Sequence, residues 1–149
     1  MDDMKRITSW INTILHQMSG IDAPKGGDIL EACGKECSKA SALLVGALDV
    51  RSRHHENQDL DVLFKAFKSR YYNTPGFKKQ GSRITLIFED CTCPLVKKGV
   101  GNPFLCHCTM GYSRQIFETL FGKVVEIRLL KSILQGDQVC EQEISIGDG

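Results

Sequence analysis

A chain of 149 residues that is 42% hydrophobic can bury one sizeable core, so a single domain over residues 1–149 is expected. Its 19 Lys and Arg nearly balance 18 Asp and Glu, and a net charge of +1 excludes partners gathered by bulk field, nucleic acid and anionic membrane surfaces among them. Met1-Asp2-Asp3 lacks the basic flank and apolar run of a signal peptide, and no apolar stretch approaches a membrane span, so a cytoplasmic protein is expected.

Residues 4–18 place Ile7, Trp10, Ile11, Ile14, Leu15 and Met18 at three- and four-residue intervals, which predicts an amphipathic helix stopped by Gly20. After a Pro24-Lys25-Gly26-Gly27 break, Asp28 is expected to cap a second helix through Ile29, Leu30 and Cys33. A third runs through Ala40, Leu43, Leu44, Ala47 and Leu48. Arg51–Gln58 is polar, and Asp59 is placed to cap a fourth helix that turns Leu60, Leu63, Phe64 and Phe67 inward.

Asn73-Thr74-Pro75-Gly76 predicts a turn, Lys78–Gly81 a polar connection, and Ile84–Phe88 a strand. Pro94, Gly99, Gly101 and Pro103 predict a loop over 94–105. Thr109 is expected to open a helix carrying Ile116, Phe117, Leu120 and Phe121, closed by Gly122. Val124–Ile133 and Val139–Ile146 read as a terminal β-hairpin turning at Gln135-Gly136-Asp137. The expected fold is therefore α+β: N-terminal helices packed on an antiparallel sheet, then a strand, a cysteine loop, a helix and the hairpin.

Seven cysteines, an odd number without an export signal, argue for reduced thiols rather than a disulfide frame. Six come in close pairs: Cys33 with Cys37, Cys91 with Cys93, and Cys106 with Cys108. The middle and last pairs read C-x-C-x12-C-x-C, and four soft, anionic thiolates brought together by one loop suit tetrahedral zinc. A metal on Cys91, Cys93, Cys106 and Cys108 is the leading expectation, although a single intervening residue gives each pair an awkward bite on one ion. Cys33 and Cys37, four apart, share a face if helical and are candidates for an additional metal or thiol site, or for completing a mixed site begun by the loop; Gly34 could instead end that helix and leave Cys33 in the core.

Other readings stay open. The thiols could be small apolar core residues, the expectation for Cys140. Alternatively Cys106 or Cys108, beside a helix N-terminus and next to His107, could have a lowered pKa and act as nucleophile or redox group. His16, His54 and His55 read as solvated. Phe64, Phe67, Phe88, Phe104, Phe117 and Phe121 could line an apolar pocket or simply fill the core.

The stretch from Gly111-Tyr112-Ser113 through Phe117–Gly122 to Lys131–Cys140 resembles the C-terminal part of 4-vinyl reductase-type domains. With C-G-x-x-C at 33–37 and C-x-C-P at 91–94, the chain looks like a small prokaryotic cysteine-motif family of unknown function related to them. The resemblance implies a small-molecule-binding domain, dimeric through its helices, with a cysteine-containing zinc site beneath an apolar pocket. Zinc-binding relatives carry Glu-x2-Cys-x7-Cys in the terminal strands. Leu129, Ser132 and Cys140 occupy those positions here, so two of the three ligands are missing. The resemblance then implies either a metal moved to the C-x-C pairs, with or without Cys33 and Cys37, or none.

The resulting expectation is a sensor or binding module for a small apolar molecule, with a structural zinc, forming a homodimer. Its rivals are a thiol-dependent hydrolase or redox enzyme using Cys106 or Cys108, and a non-catalytic assembly subunit.

Overall fold

The computed structural model describes residues 2–21, 25–56, 59–91 and 93–147. Pro24, the end of the expected polar segment at 57–58, and Thr92 lie outside them.

Helix α1 (Asp3–Ser19) starts where the Asp2 carboxylate accepts the Lys5 N–H at 2.9 Å. Helix α2 (Lys25–Ser38) begins three residues before the expected cap, leaving Asp28 in its first turn, where a negative charge complements the helix dipole. Gly34 does not end α2; the helix runs past it to Ser38. Ser41 caps α3 (Ala42–Arg53), accepting the Leu43 N–H at 3.1 Å, and α3 extends into the segment read as polar connection. Asp59 caps α4 (Leu60–Tyr71) as expected, accepting the Asp61 N–H at 2.9 Å.

The segment read as a polar connection is instead strand β1 (Phe77–Gln80), paired antiparallel with β2 (Arg83–Phe88) in the register Phe77↔Leu86 and Gln80↔Arg83. Gly81, at φ 63°, takes the left-handed turn conformation between them. The expected loop over 94–105 contains a short helix, α5 (Pro94–Lys97), and a 3₁₀ turn (Pro103–Leu105). Helix α6 (Cys106–Phe121) opens at Cys106 rather than Thr109, because the 3₁₀ turn winds straight into it, and ends at Gly122 in the left-handed region at φ 65°. Strands β3 (Val125–Lys131) and β4 (Cys140–Ile146) complete an antiparallel sheet in the order β1-β2-β4-β3. The architecture is α+β, with helices N-terminal to the sheet and a C-terminal strand pair.

The main core lies between this sheet and α3, α4 and α6. Leu63, Phe67, Phe77, Phe117, Leu120, Ile84, Val125 and Ile144 are buried there almost completely. Phe77 is its aromatic hub, with ring centroids 4.6 Å from Phe64, 5.2 Å from Tyr72 and 5.7 Å from Phe117. The phenylalanines considered as pocket lining mostly pack into this core: Phe64, Phe67, Phe117 and Phe121 are members, and Phe88 lies against it. A second, smaller cluster of Leu15, Leu30, Val100 and Leu105 joins α1, α2 and the loop, with Phe104, Cys93 and Cys108 packed on it.

Gln142 is an exception to the apolar interior. It faces inward from β4, 1% exposed, and its Oε1 has no hydrogen-bond partner among the described residues. A buried acceptor left unpaired costs about 1–3 kcal/mol. Gln142→Met, similar in volume, is expected to stabilise the protein by about 1 kcal/mol, read as a higher urea midpoint at unchanged slope.

Candidate functional site

The site forms where α2 crosses α6, and two glycines allow the crossing. A Cβ on Gly34 would stand 1.8 Å from the Cys108 carbonyl oxygen, and one on Gly111 would stand 2.1 Å from the Glu31 carbonyl oxygen. The two backbones therefore touch with no side chain between them. Glu31 and Arg114 clamp the same crossing with a half-buried ion pair at 3.2 Å. Cys33 and Cys37 flank Gly34 on α2, four residues apart and hence on one face, so the crossing carries both toward Cys108.

All seven cysteines are free, Cys33 and Cys37 exposed and the other five partly buried. On a helix, residues two apart do not share a face, so the first turn of α6 sends Cys106 and Cys108 different ways. Cys106 lies with β4 and the β3–β4 connection. Its Sγ is 3.2 Å from the hydroxyl of the buried Ser132, and Cys140, whose Sγ accepts the Ile133 N–H at 3.3 Å, is close enough to influence its ionisation, as is Cys91. Cys108 lies on the other side, packed on the second cluster with Cys93, and within electrostatic reach of Cys93, Cys37 and Cys33. Cys93, at the N-cap of α5, stands between the two groups and influences both Cys106 and Cys108.

Of the four cysteines singled out in the loop, Cys93 is within electrostatic reach of the other three, and Cys91 of Cys106. Cys140, read from sequence as core packing, joins the group about Cys106; Cys33 and Cys37 join that about Cys108. Among the described residues, no three His, Cys, Asp or Glu side chains are already closed into an arrangement that could hold a metal ion.

Ionisation runs opposite to the lowered pKa expected at a helix N-terminus. Burial, reinforced by the charge of neighbouring thiols, pushes the Cys108 thiol up to about 11. Burial also raises Cys106, with a hydrogen bond to Ser132 opposing it, and raises Cys91, with a backbone hydrogen bond from Cys93 opposing it. In both cases desolvation wins. These thiols stay protonated near neutral pH unless a cation joins them, which is poor preparation for a nucleophile. His107 does not act as an activating base for either neighbour by position: its ring packs edge-on against Phe104 at 4.7 Å and lies over Gly27.

Other sequence-derived candidates are peripheral. His16 and His55 are exposed, and His54 caps the end of α3. Two open surface clefts lie away from the cysteines, one along α1 beside Lys5, Asn12 and His16, the other beside Lys68, Lys79 and Arg83. No described helix is long and apolar enough to cross a membrane.

No curated protein matches the chain. Residues 31–148, which span the whole cysteine constellation from Cys33 to Cys140, match a family of unknown function (DUF6144), and the chain belongs to that family.

Proposed function

We propose that this protein is a thiolate metal-binding module whose resident ion is zinc, and that the ion braces α2, the cysteine loop and the start of α6. The observation that carries the reading is that cysteines from four separate parts of the chain come within electrostatic reach of one another about the cysteine loop and the first turn of α6, Cys108 being reached from Cys93, Cys33 and Cys37, and Cys106 from Cys140, Cys91 and Cys93. Thiols gathered this closely repel one another once ionised, and a divalent cation turns that cost into coordination. The raised pKa values favour this reading over a hydrolase using Cys106 or Cys108.

Kinship to 4-vinyl reductase-type domains, and with it capture of a small apolar molecule, belongs to the proposal on the strength of residues 111–140 alone. A homodimer is supported by α1, which leaves Ile7, Trp10 and Ile14 exposed in one stripe, with Trp10 at 67%. Free thiols throughout suit a reducing compartment such as the cytoplasm.

The test is reconstitution of reduced protein with zinc chloride under argon, read by native mass spectrometry and thermal melting. Stoichiometric uptake is expected. With free zinc a hundredfold above Kd, the gain is about 2.7 kcal/mol, or roughly 5–10 °C in Tm for a chain of this length. A melting curve and mass that zinc leaves unchanged would sink the proposal.

A further inference from the structure

We infer that one tetrahedral ion is held by Cys33, Cys37, Cys93 and Cys108, across the α2–α6 crossing, and not by the four loop cysteines Cys91, Cys93, Cys106 and Cys108. The inference rests on the metal-binding function proposed above and specifies which four sulfurs perform it.

The geometry has three parts. First, a Cβ on Gly34 would meet the Cys108 carbonyl oxygen at 1.8 Å, so the two backbones are in contact there, and Cys33 and Cys37 on the same helix lie within electrostatic reach of the Cys108 thiol. Second, Cys93 and Cys108 pack on the same small apolar cluster, whereas Cys106 turns away to Ser132. Third, the two members of a C-x-C pair on the first turn of a helix cannot both face one point, while Cys33 and Cys37, an i, i+4 pair, can.

The set has the composition of a closed structural site, four thiolates and no open position. It is also adaptable. Cys33 and Cys37 are exposed on α2, so rotation among their staggered χ1 positions can carry both sulfurs toward Cys93 and Cys108 without disturbing packing. Each ligating thiol gives its proton to solvent as the metal–sulfur bond forms, and no oxidant or reductant takes part. Cys91, Cys106 and Cys140, with the Ser132 hydroxyl, remain outside this coordination shell.

Cobalt(II) reports the coordination directly, through the visible bands of a tetrahedral ion and sulfur-to-cobalt charge transfer in the near ultraviolet. Wild-type protein, Cys33→Ser/Cys37→Ser and Cys91→Ser/Cys106→Ser are titrated with cobalt chloride, each checked for folding by circular dichroism. The first double variant replaces only exposed side chains, so its fold should persist. Loss of the tetrahedral spectrum there, with affinity down more than about 100-fold, is expected, given that even an outer-shell partner is worth 10–100-fold. The second double variant should keep the spectrum. In parallel, zinc should shield Cys33 and Cys37 of the wild type from iodoacetamide, mapped by peptide mass spectrometry.

A tetrahedral spectrum that survives removal of Cys33 and Cys37 overturns this assignment while leaving metal binding intact. Should both double variants lose the spectrum, free alkylation of Cys33 and Cys37 in zinc-loaded wild type overturns it, and shielding upholds it. A wild type that gives no cobalt spectrum brings down both the assignment and the proposed function.

Discussion

Gly34→Ala is expected to destabilise the protein by roughly 3 kcal/mol or more, at or above the upper end of what overpacking usually costs. The direction is diagnostic, because in an exposed helix interior the same substitution stabilises by about 1 kcal/mol. Here the added Cβ meets a backbone oxygen at 1.8 Å and a backbone nitrogen, that of Tyr112, at 2.7 Å, and neither can rotate away as a side chain would. Relief requires α2 to lift from α6, straining the Glu31–Arg114 ion pair and carrying Cys33 and Cys37 away from Cys108. Urea denaturation of the metal-free protein checks the stability term. Gly27→Ala is a milder comparison, since the atoms nearest its Cβ belong to the His107 ring, which can turn. Equal midpoints for Gly34→Ala and wild type would show that the helices do not touch at this point.

Phe77→Ala should cost roughly 3–5 kcal/mol, the range for emptying a buried phenylalanine site. Phe77 is fully buried and its ring meets those of Phe64, Phe67, Tyr72 and Phe117, so the cavity would be walled by rigid aromatics that cannot collapse into it. Single domains have about 5–15 kcal/mol in total, so the variant should lose a large part of its urea midpoint with little change in slope. The expected result separates the two halves of the molecule. Phe77 belongs to the main core, remote from the second cluster that carries Cys93 and Cys108, so variant protein that remains folded should still take up metal.

The sequence makes the regular elements legible where local chemistry agrees with tertiary need. Asp59 caps α4, Gly122 closes α6, and the alternation of Ile84–Phe88 marks β2. It misleads where neighbours decide. Phe77-Lys-Lys-Gln carries one apolar residue and reads as a connection, yet it is a strand because β2 offers an edge and Phe77 anchors it in the core. Thr109 looks like a helix cap, but the turn at 103–105 starts α6 three residues earlier and needs no side-chain cap. Gly34 looks like a helix terminator, yet it serves close packing of two helices far apart in sequence.

The same distance hides the organisation of the cysteines. Their pairing as C-x3-C, C-x-C and C-x-C is visible in the sequence, and so is their softness as donors. How they group is not, because grouping depends on the hand of a helix turn at Cys106 and Cys108 and on the point where α2 lands on α6. Spacing along the chain favours the four loop thiols; position in space divides Cys106 from Cys108, with Cys93 within reach of both.

The strand order β1-β2-β4-β3 places the final strand of the described chain in the interior of the sheet, hydrogen-bonded on both sides. Until residues 140–146 leave the ribosome, neither β2 nor β3 has the strand that covers its inner edge in the finished sheet. Bare edges invite pairing with other chains. Premature termination between β3 and β4 would leave a split sheet rather than a shortened one, a lesion out of proportion to the residues lost.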